Sequence, residues 1–163
     1  MPKITAEELK KWISYDPNTG YFTRACDMPK YKKGDPAGYI NFHGYRAIKI
    51  NGVSYISHRL AFIFMGYPVP EFVDHINGVR DDNRWCNLRA ATRGQNNHNA
   101  KIRKDNTSGV KGVSWLGRLN KWQVSIMSGG VSKYIGIYSN LEDAKEAAKA
   151  HRELAHGDFH NHG

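Results

Sequence analysis

Asp74 and His75 stand side by side at the end of a short apolar stretch, and a run rich in carboxamides follows: V-D-H-I-N-G-V-R-D-D-N-R-W-C-N-L-R-A-A-T-R-G-Q-N-N-H-N, from Val73 to Asn99. A carboxylate, an imidazole and several Asn side chains together suit phosphodiester hydrolysis. Oxygen donors of this kind favour one hard divalent cation, Mg²⁺ or Mn²⁺, over zinc, which prefers thiolate and imidazole. Such an ion polarises a phosphate and stabilises a leaving oxygen while a neutral His deprotonates water. The base needs a hydrogen-bond partner on its second ring nitrogen to fix its tautomer, and Asn87 is well placed to supply it.

The positioning elements follow from the same stretch. Its left end is apolar and strand-like, and Asn77-Gly78 opens a polar loop through Asp81, Asp82 and Asn83. A second strand spans 87–91, and Thr92 can cap a helix carrying Gln95, Asn96 and Asn99. Neighbouring strand residues point to opposite faces, so Asp74 and His75 share a site only where the strand twists or ends. The Asn-Gly turn provides such an end.

D-H-I-N-G, D-N-R-x-x-N-L-R and Q-N-x-x-N, in that order, resemble the HNH (ββα-metal) nuclease motif in its phage homing-endonuclease form. The resemblance implies a ββα-metal module with His75 as general base and Asn87 as the residue that orients it. It assigns Asp74 and Asn96 to the metal and sets Arg89 and Arg93 as DNA contacts. Asn96 stands where many relatives carry His, and a carboxamide oxygen remains an acceptable hard-metal ligand.

Upstream lie supporting elements. Thr5 and Glu8 form a capping box, with Ile4 able to staple onto Leu9, and Leu9, Trp12 and Ile13 make an apolar face. D-P-N-T-G at 16–20 is a turn before a strand at 21–23. The basic stretch 24–35 is either a phosphate-contacting or a simply solvated loop. Strands at 39–42, 45–50 and 53–56 are joined at His43-Gly44 and Asn51-Gly52, a hairpin signal. Ser57 is expected to cap a short apolar helix ended by Gly66 and Pro68; His58 at its start is either structural or functional. This order is similar to the segment preceding the motif in phage HNH enzymes.

After a basic linker at 101–108, strands are expected at 110–115, 121–127 and 133–138, with Val124 and Ile126 facing opposite to Gln123, Ser125 and Met127. Ser139 to Glu142 reads as a capping box, opening a helix with the stripe Leu141, Ala144, Ala148, His151 and Ala155. G-V-K-G-V-S-W, K-W-Q-V-S-I, Y-I-G-I-Y and E-D-A-K-E-A-A resemble the AP2 DNA-binding domain. That resemblance implies a three-stranded antiparallel sheet on one helix, its exposed face reading the major groove. By position, Lys111, Ser114, Arg118 and Lys121 are candidate DNA contacts, with Gln123, Ser125 and Tyr134. Trp115 and Trp122 are the kind of residue that packs a sheet and are not counted among the contacts. His156, His160 and His162 near the end lack metal-ligand spacing and read as a tail.

Net charge is +9, and both halves are basic: 14 Lys and Arg against 9 acids through residue 100, then 10 against 6. A polyanion partner is implied, and without a basic amphipathic helix nucleic acid is favoured over membrane. No apolar run suits a bilayer and no signal-peptide pattern opens the chain. Cys26 and Cys86 form no C-x-x-C pair and read as reduced thiols. The expected fold class is α+β: a nuclease module over 1–100, the linker, and an AP2-like domain over 109–163. The expected function is metal-dependent cleavage of duplex DNA in the host bacterial cytoplasm by a monomer or weak dimer. The rival readings are a non-catalytic DNA-binding regulator and an RNA-binding protein.

Overall fold

Local capping chemistry starts the fold. In the computed structural model, which describes residues 4–100, 102 and 105–159, helix α1 (Ala6–Trp12) opens on Thr5. The Thr5 hydroxyl accepts from the Glu8 amide at 3.2 Å and Glu8 Oε2 accepts from the Thr5 amide at 3.4 Å. Ile13 then turns extended into β1 (Ile13–Tyr15), which pairs antiparallel with β2 (Phe22–Arg24). The intervening turn is held by Asp16, whose carboxylate accepts from the Asn18 amide at 2.9 Å and the Thr19 hydroxyl at 2.8 Å. Gly20 is required there: its φ is +75°, and a Cβ would lie 2.4 Å from the Arg84 nitrogen.

Strands β3 (Tyr39–Ile40), β4 (Arg46–Ile50) and β5 (Val53–Ile56) form an antiparallel sheet in that order. Asn51 and Gly52, at φ 47° and 81°, make the two-residue turn that the sequence signals. Helix α2 (Ser57–Phe64) follows β5 without a break, so Ile56 holds the extended cap position. Ser57 is therefore helical, not the expected cap, and its buried hydroxyl has no hydrogen-bond partner among the described residues. Strands β6 (Phe72–His75) and β7 (Leu88–Ala91) pair antiparallel, with a single 3₁₀ turn at Trp85–Asn87 before β7. Helix α3 (Arg93–Asn99) is capped by Thr92 as expected, and Gln95 returns the bond to the Thr92 amide.

The chain divides between Ala91 and Thr92 into two compact units. The first is built around Leu9, Ile13, Phe22, Ile48 and Leu60, all fully buried, and each such side chain contributes roughly 1.5–3 kcal/mol. The second contains α3 and an antiparallel sheet of β8 (Val113–Leu116), β9 (Lys121–Ser128) and β10 (Val131–Tyr138) with β9 central. Helix α4 (Leu141–His156) packs on β9 and β10. The division falls ahead of α3, and residues 101, 103 and 104 of the expected linker lie outside the described residues.

Two expectations for the second unit are corrected. Asn140, not Ser139, caps α4, accepting from the Asp143 amide at 2.8 Å. The buried stripe is Ala144, Ala148 and Arg152, whereas His151 and Ala155 are exposed. Arg152 turns inward because its guanidinium donates to the Lys111 carbonyl, which rotates the helix face away from His151. The fold class is mixed α and β with several small antiparallel sheets. No helix among the described residues is long and apolar enough to cross a membrane.

Candidate active site

His75 is the last residue of β6, and its carbonyl accepts the Gly78 amide at 2.8 Å as the chain leaves the strand. Cross-strand partners share a sheet face, so Asp74 sides with Arg89 and His75 with Leu88. Both site residues are buried, at 3% and 5% exposure. Arg89 donates through Nε to Asp74 Oδ2 at 2.8 Å and holds Nη2 2.7 Å from the same oxygen, fixing the plane of the carboxylate.

The buried His75 ring packs among Asn83, His58 and Tyr45 of the first unit. Its Nε2 lies 3.4 Å from Asn83 Oδ1. The Asn83 amide nitrogen donates to the Asp81 carbonyl at 3.0 Å, which turns its oxygen toward the imidazole. Asn83 is itself fully buried, and Tyr15 donates to its backbone carbonyl at 2.8 Å from the core side. Burial raises the Tyr15 pKa, so the phenol keeps its proton for that bond. The His58 ring meets His75 edge-on at 5.1 Å between centroids, and Tyr45 completes the wall at 5.3 Å from His58 and 6.0 Å from His75.

Burial disfavours the charged form of both imidazoles. Burial lowers the His75 pKa, against the opposing pull of Asn83, Asp74 and Asp82. Burial, then the neighbouring His75 and Arg59, push His58 down to about 3. A neutral, oriented imidazole is the form a general base requires.

Asn87 ties down the loop that follows His75. Its Oδ1 accepts from the Asn77 amide at 3.0 Å, and its Nδ2 donates to Asn77 Oδ1 at 3.0 Å and the Asp82 carbonyl at 2.7 Å. It thereby closes the loop at both ends, while Asn83 stands at the His75 ring. Within that loop Asp82 accepts from Asn77 and Arg84, and its pKa is held down at about 2, chiefly by the Arg84 guanidinium. Asn83 belongs to the D-D-N-R run, yet its proximity to His75 arises from how the loop folds back. His58 was visible only as a histidine at a helix start.

The remaining site candidates distribute between the units. Asn96 is half-buried on α3 in the second unit, and Arg93 is exposed at the start of that helix. Arg89 is occupied by Asp74. On the sheet of the second unit, register sets Ser114 opposite Gln123 and Ser125 opposite Tyr134. These four share one face with Lys121, and Gln123 donates to the Ser125 hydroxyl at 3.2 Å. Val113, Val124 and Ile126 take the core face, and Trp115 and Trp122 pair across it at 4.8 Å. Arg118 is exposed in the turn between β8 and β9. Lys111 lies apart: it precedes β8, donates its amine to the Ala100 carbonyl, and is lowered to about 8 by burial and then Arg152.

Among the described residues no three His, Cys, Asp or Glu side chains cluster as a metal site. The buried Asp74 carboxylate of the first unit is an oxygen donor, the type that hard divalent cations prefer. His156 ends α4 with its ring stacked on His98 at 3.7 Å; His160 and His162 lie outside the described residues.

A strand ending in Asp-His, a carboxamide-tied loop, a second strand and a capped helix follow one another in chain order, and residues 55–98 match the model of the HNH endonuclease family. The chain is also 34% identical over 94 residues to Protein 3.8 of Escherichia phage T7, a match covering 56% of this chain and 77% of that protein. It therefore belongs to the family of that phage protein and carries an HNH endonuclease domain. No solved structure matches it.

Proposed function

We propose that this chain is a divalent-metal-dependent endonuclease of the homing type that hydrolyses phosphodiester bonds in duplex DNA. The observation that carries this reading is the buried His75 imidazole, with Nε2 3.4 Å from Asn83 Oδ1, at the end of the strand that also carries Asp74. Asn83 Oδ1 accepts from Nε2–H and so selects the tautomer whose Nδ1 lone pair takes a proton from water. The water oxygen bonds to phosphorus as the bond to the 3′ oxygen breaks. The leaving oxygen takes a proton from solvent, giving a 5′-phosphate and a 3′-hydroxyl. Asp74 is the residue of the first unit that would hold Mg²⁺ or Mn²⁺; when bound, the ion supplies charge stabilisation of the phosphate and leaving oxygen. Asn87 acts on His75 at one remove, by closing the loop that carries Asn83.

The second unit supplies affinity in an AP2-like manner. Ser114, Lys121, Gln123, Ser125 and Tyr134 present hydrogen-bonding groups on one open sheet face, with Arg118 in the adjoining turn. Lys and Arg hold phosphates, and Gln and Ser reach base edges. Arg93 adds a phosphate contact from α3. The protein works in the host bacterial cell as a monomer or weak dimer. Incubation with supercoiled plasmid is the test: relaxation or linearisation with Mg²⁺ or Mn²⁺, abolished by EDTA, is expected. A plasmid that is bound but stays intact with either metal would favour the non-catalytic regulator.

A further inference from the structure

Phe42 is 98% exposed, at the tip of the turn between β3 and β4. Single exposed apolar side chains are common on flexible loops and need no explanation. This ring is mounted differently. Asn41 closes the turn four ways: its amide donates to Tyr45 O at 2.8 Å, its carbonyl accepts from Gly44 at 2.9 Å, and its Oδ1 accepts from the His43 and Tyr45 amides. The tip is then fastened to the loop that follows His75. Arg80 donates to the His43 carbonyl at 2.7 Å and lies over the Tyr45 ring at 5.1 Å. Arg46 makes a two-pronged ion pair with Asp81, both contacts at 2.8 Å. A fully solvated aromatic is thus held out on a braced turn, the same turn that ends at Tyr45 beside the His75 ring.

The spacing suits DNA. Tyr45 lies 6.0 Å from the His75 ring, and Phe42 stands three residues away in the same closed turn, so at most about 10 Å of chain separates the two. Base pairs stack every ~3.4 Å, so the ring falls within a few steps of a linkage held at His75. Tyr39 and Ile40, both about half exposed, continue the apolar edge from Phe42. The Arg80 guanidinium has no carboxylate partner among the described residues and stands beside the tip, where a phosphate would complement it.

We propose that Phe42 is a wedge, which enters between two stacked base pairs of duplex DNA beside the linkage facing His75 while Arg80 holds the flanking phosphate. This rests on the reading of the first unit as a DNA nuclease. Inserted apolar side chains unstack one step and kink the duplex, opening the backbone at the point of attack.

The test needs no knowledge of the target sequence. Full-length His75→Ala protein is bound to a singly nicked plasmid, the nick is sealed by DNA ligase, the protein is removed, and topoisomers are separated. Bound protein should lower the linking number in proportion to occupancy. Phe42→Ala in the same background should bind within about threefold but leave the linking number unshifted, while Phe42→Leu should keep the shift. In otherwise active protein, Phe42→Ala should slow nicking of relaxed plasmid about tenfold and of negatively supercoiled plasmid much less, since supercoiling supplies the unwinding. Equal linking-number shifts with and without Phe42, or none from either while both bind, would overturn the wedge and leave a ring that only meets solvent. Failure of the underlying reading has another signature: neither protein retards plasmid in a gel and the parent leaves it uncut.

Discussion

Acidification should loosen the first unit through His58. Its ring is 9% exposed, and its Nδ1 has no hydrogen-bond partner among the described residues. Burial, then His75 and Arg59, hold its pKa at about 3 against 6.5 for an ordinary imidazole. As pH falls, the unfolded chain therefore takes up the proton first. Stability is intact above about pH 6.5, declines below it by ~1.4 kcal/mol per pH unit, and levels off once pH passes about 3. At about pH 5 the loss is about 2 kcal/mol, a large share of the roughly 5–15 kcal/mol typical of a domain. His75 adds a loss of the same sign, since burial lowers its pKa too. His58→Phe keeps a planar ring edge-on to His75 and removes the titrating nitrogen. Urea unfolding followed by tryptophan fluorescence, with Trp12 and Trp85 reporting from the first unit, would be compared at about pH 7.5 and about pH 5. The parent should lose about 2 kcal/mol more than the variant between them. Equal losses in both proteins would refute the claim that His58 is buried and neutral.

Two further substitutions probe the frame around the base. Asn83→Ala removes the oxygen facing His75 Nε2 and the bond to the Asp81 carbonyl. DNA cleavage should fall about 10–100-fold with gel-shift affinity little changed, and an unaltered rate would show that Asn83 does not orient the ring. Gly20→Ala forces a Cβ to 2.4 Å from the Arg84 nitrogen at a φ of +75°. A loss of at least about 2 kcal/mol is expected in chemical unfolding; an unchanged midpoint would mean the turn and the Arg84 backbone are not in contact.

What the sequence disclosed was chiefly local. Thr5 with Glu8, Asn51-Gly52 and Thr92 with Gln95 each act over a few residues, and each formed as its chemistry requires. Alternation in β9 correctly sent Val124 and Ile126 to the core. Features that depend on distant contacts were less legible. The Asn83 role needs the loop to fold back on His75, and His58 meets that ring only when α2 brings it to β6. The stripe expected through His151 instead passes through Arg152, because the Lys111 carbonyl draws that guanidinium inward. Ser57 has the right chemistry for a cap, yet β5 runs straight into the helix and gives that position to Ile56.

The most direct measurement compares parent and His75→Ala protein on the same supercoiled plasmid with Mg²⁺ or Mn²⁺, scoring binding by gel shift and cutting by conversion to nicked or linear forms. The expected result is that both bind and only the parent cuts. Undiminished cutting by His75→Ala would show that this imidazole is not the base and that the chemistry belongs elsewhere in the chain.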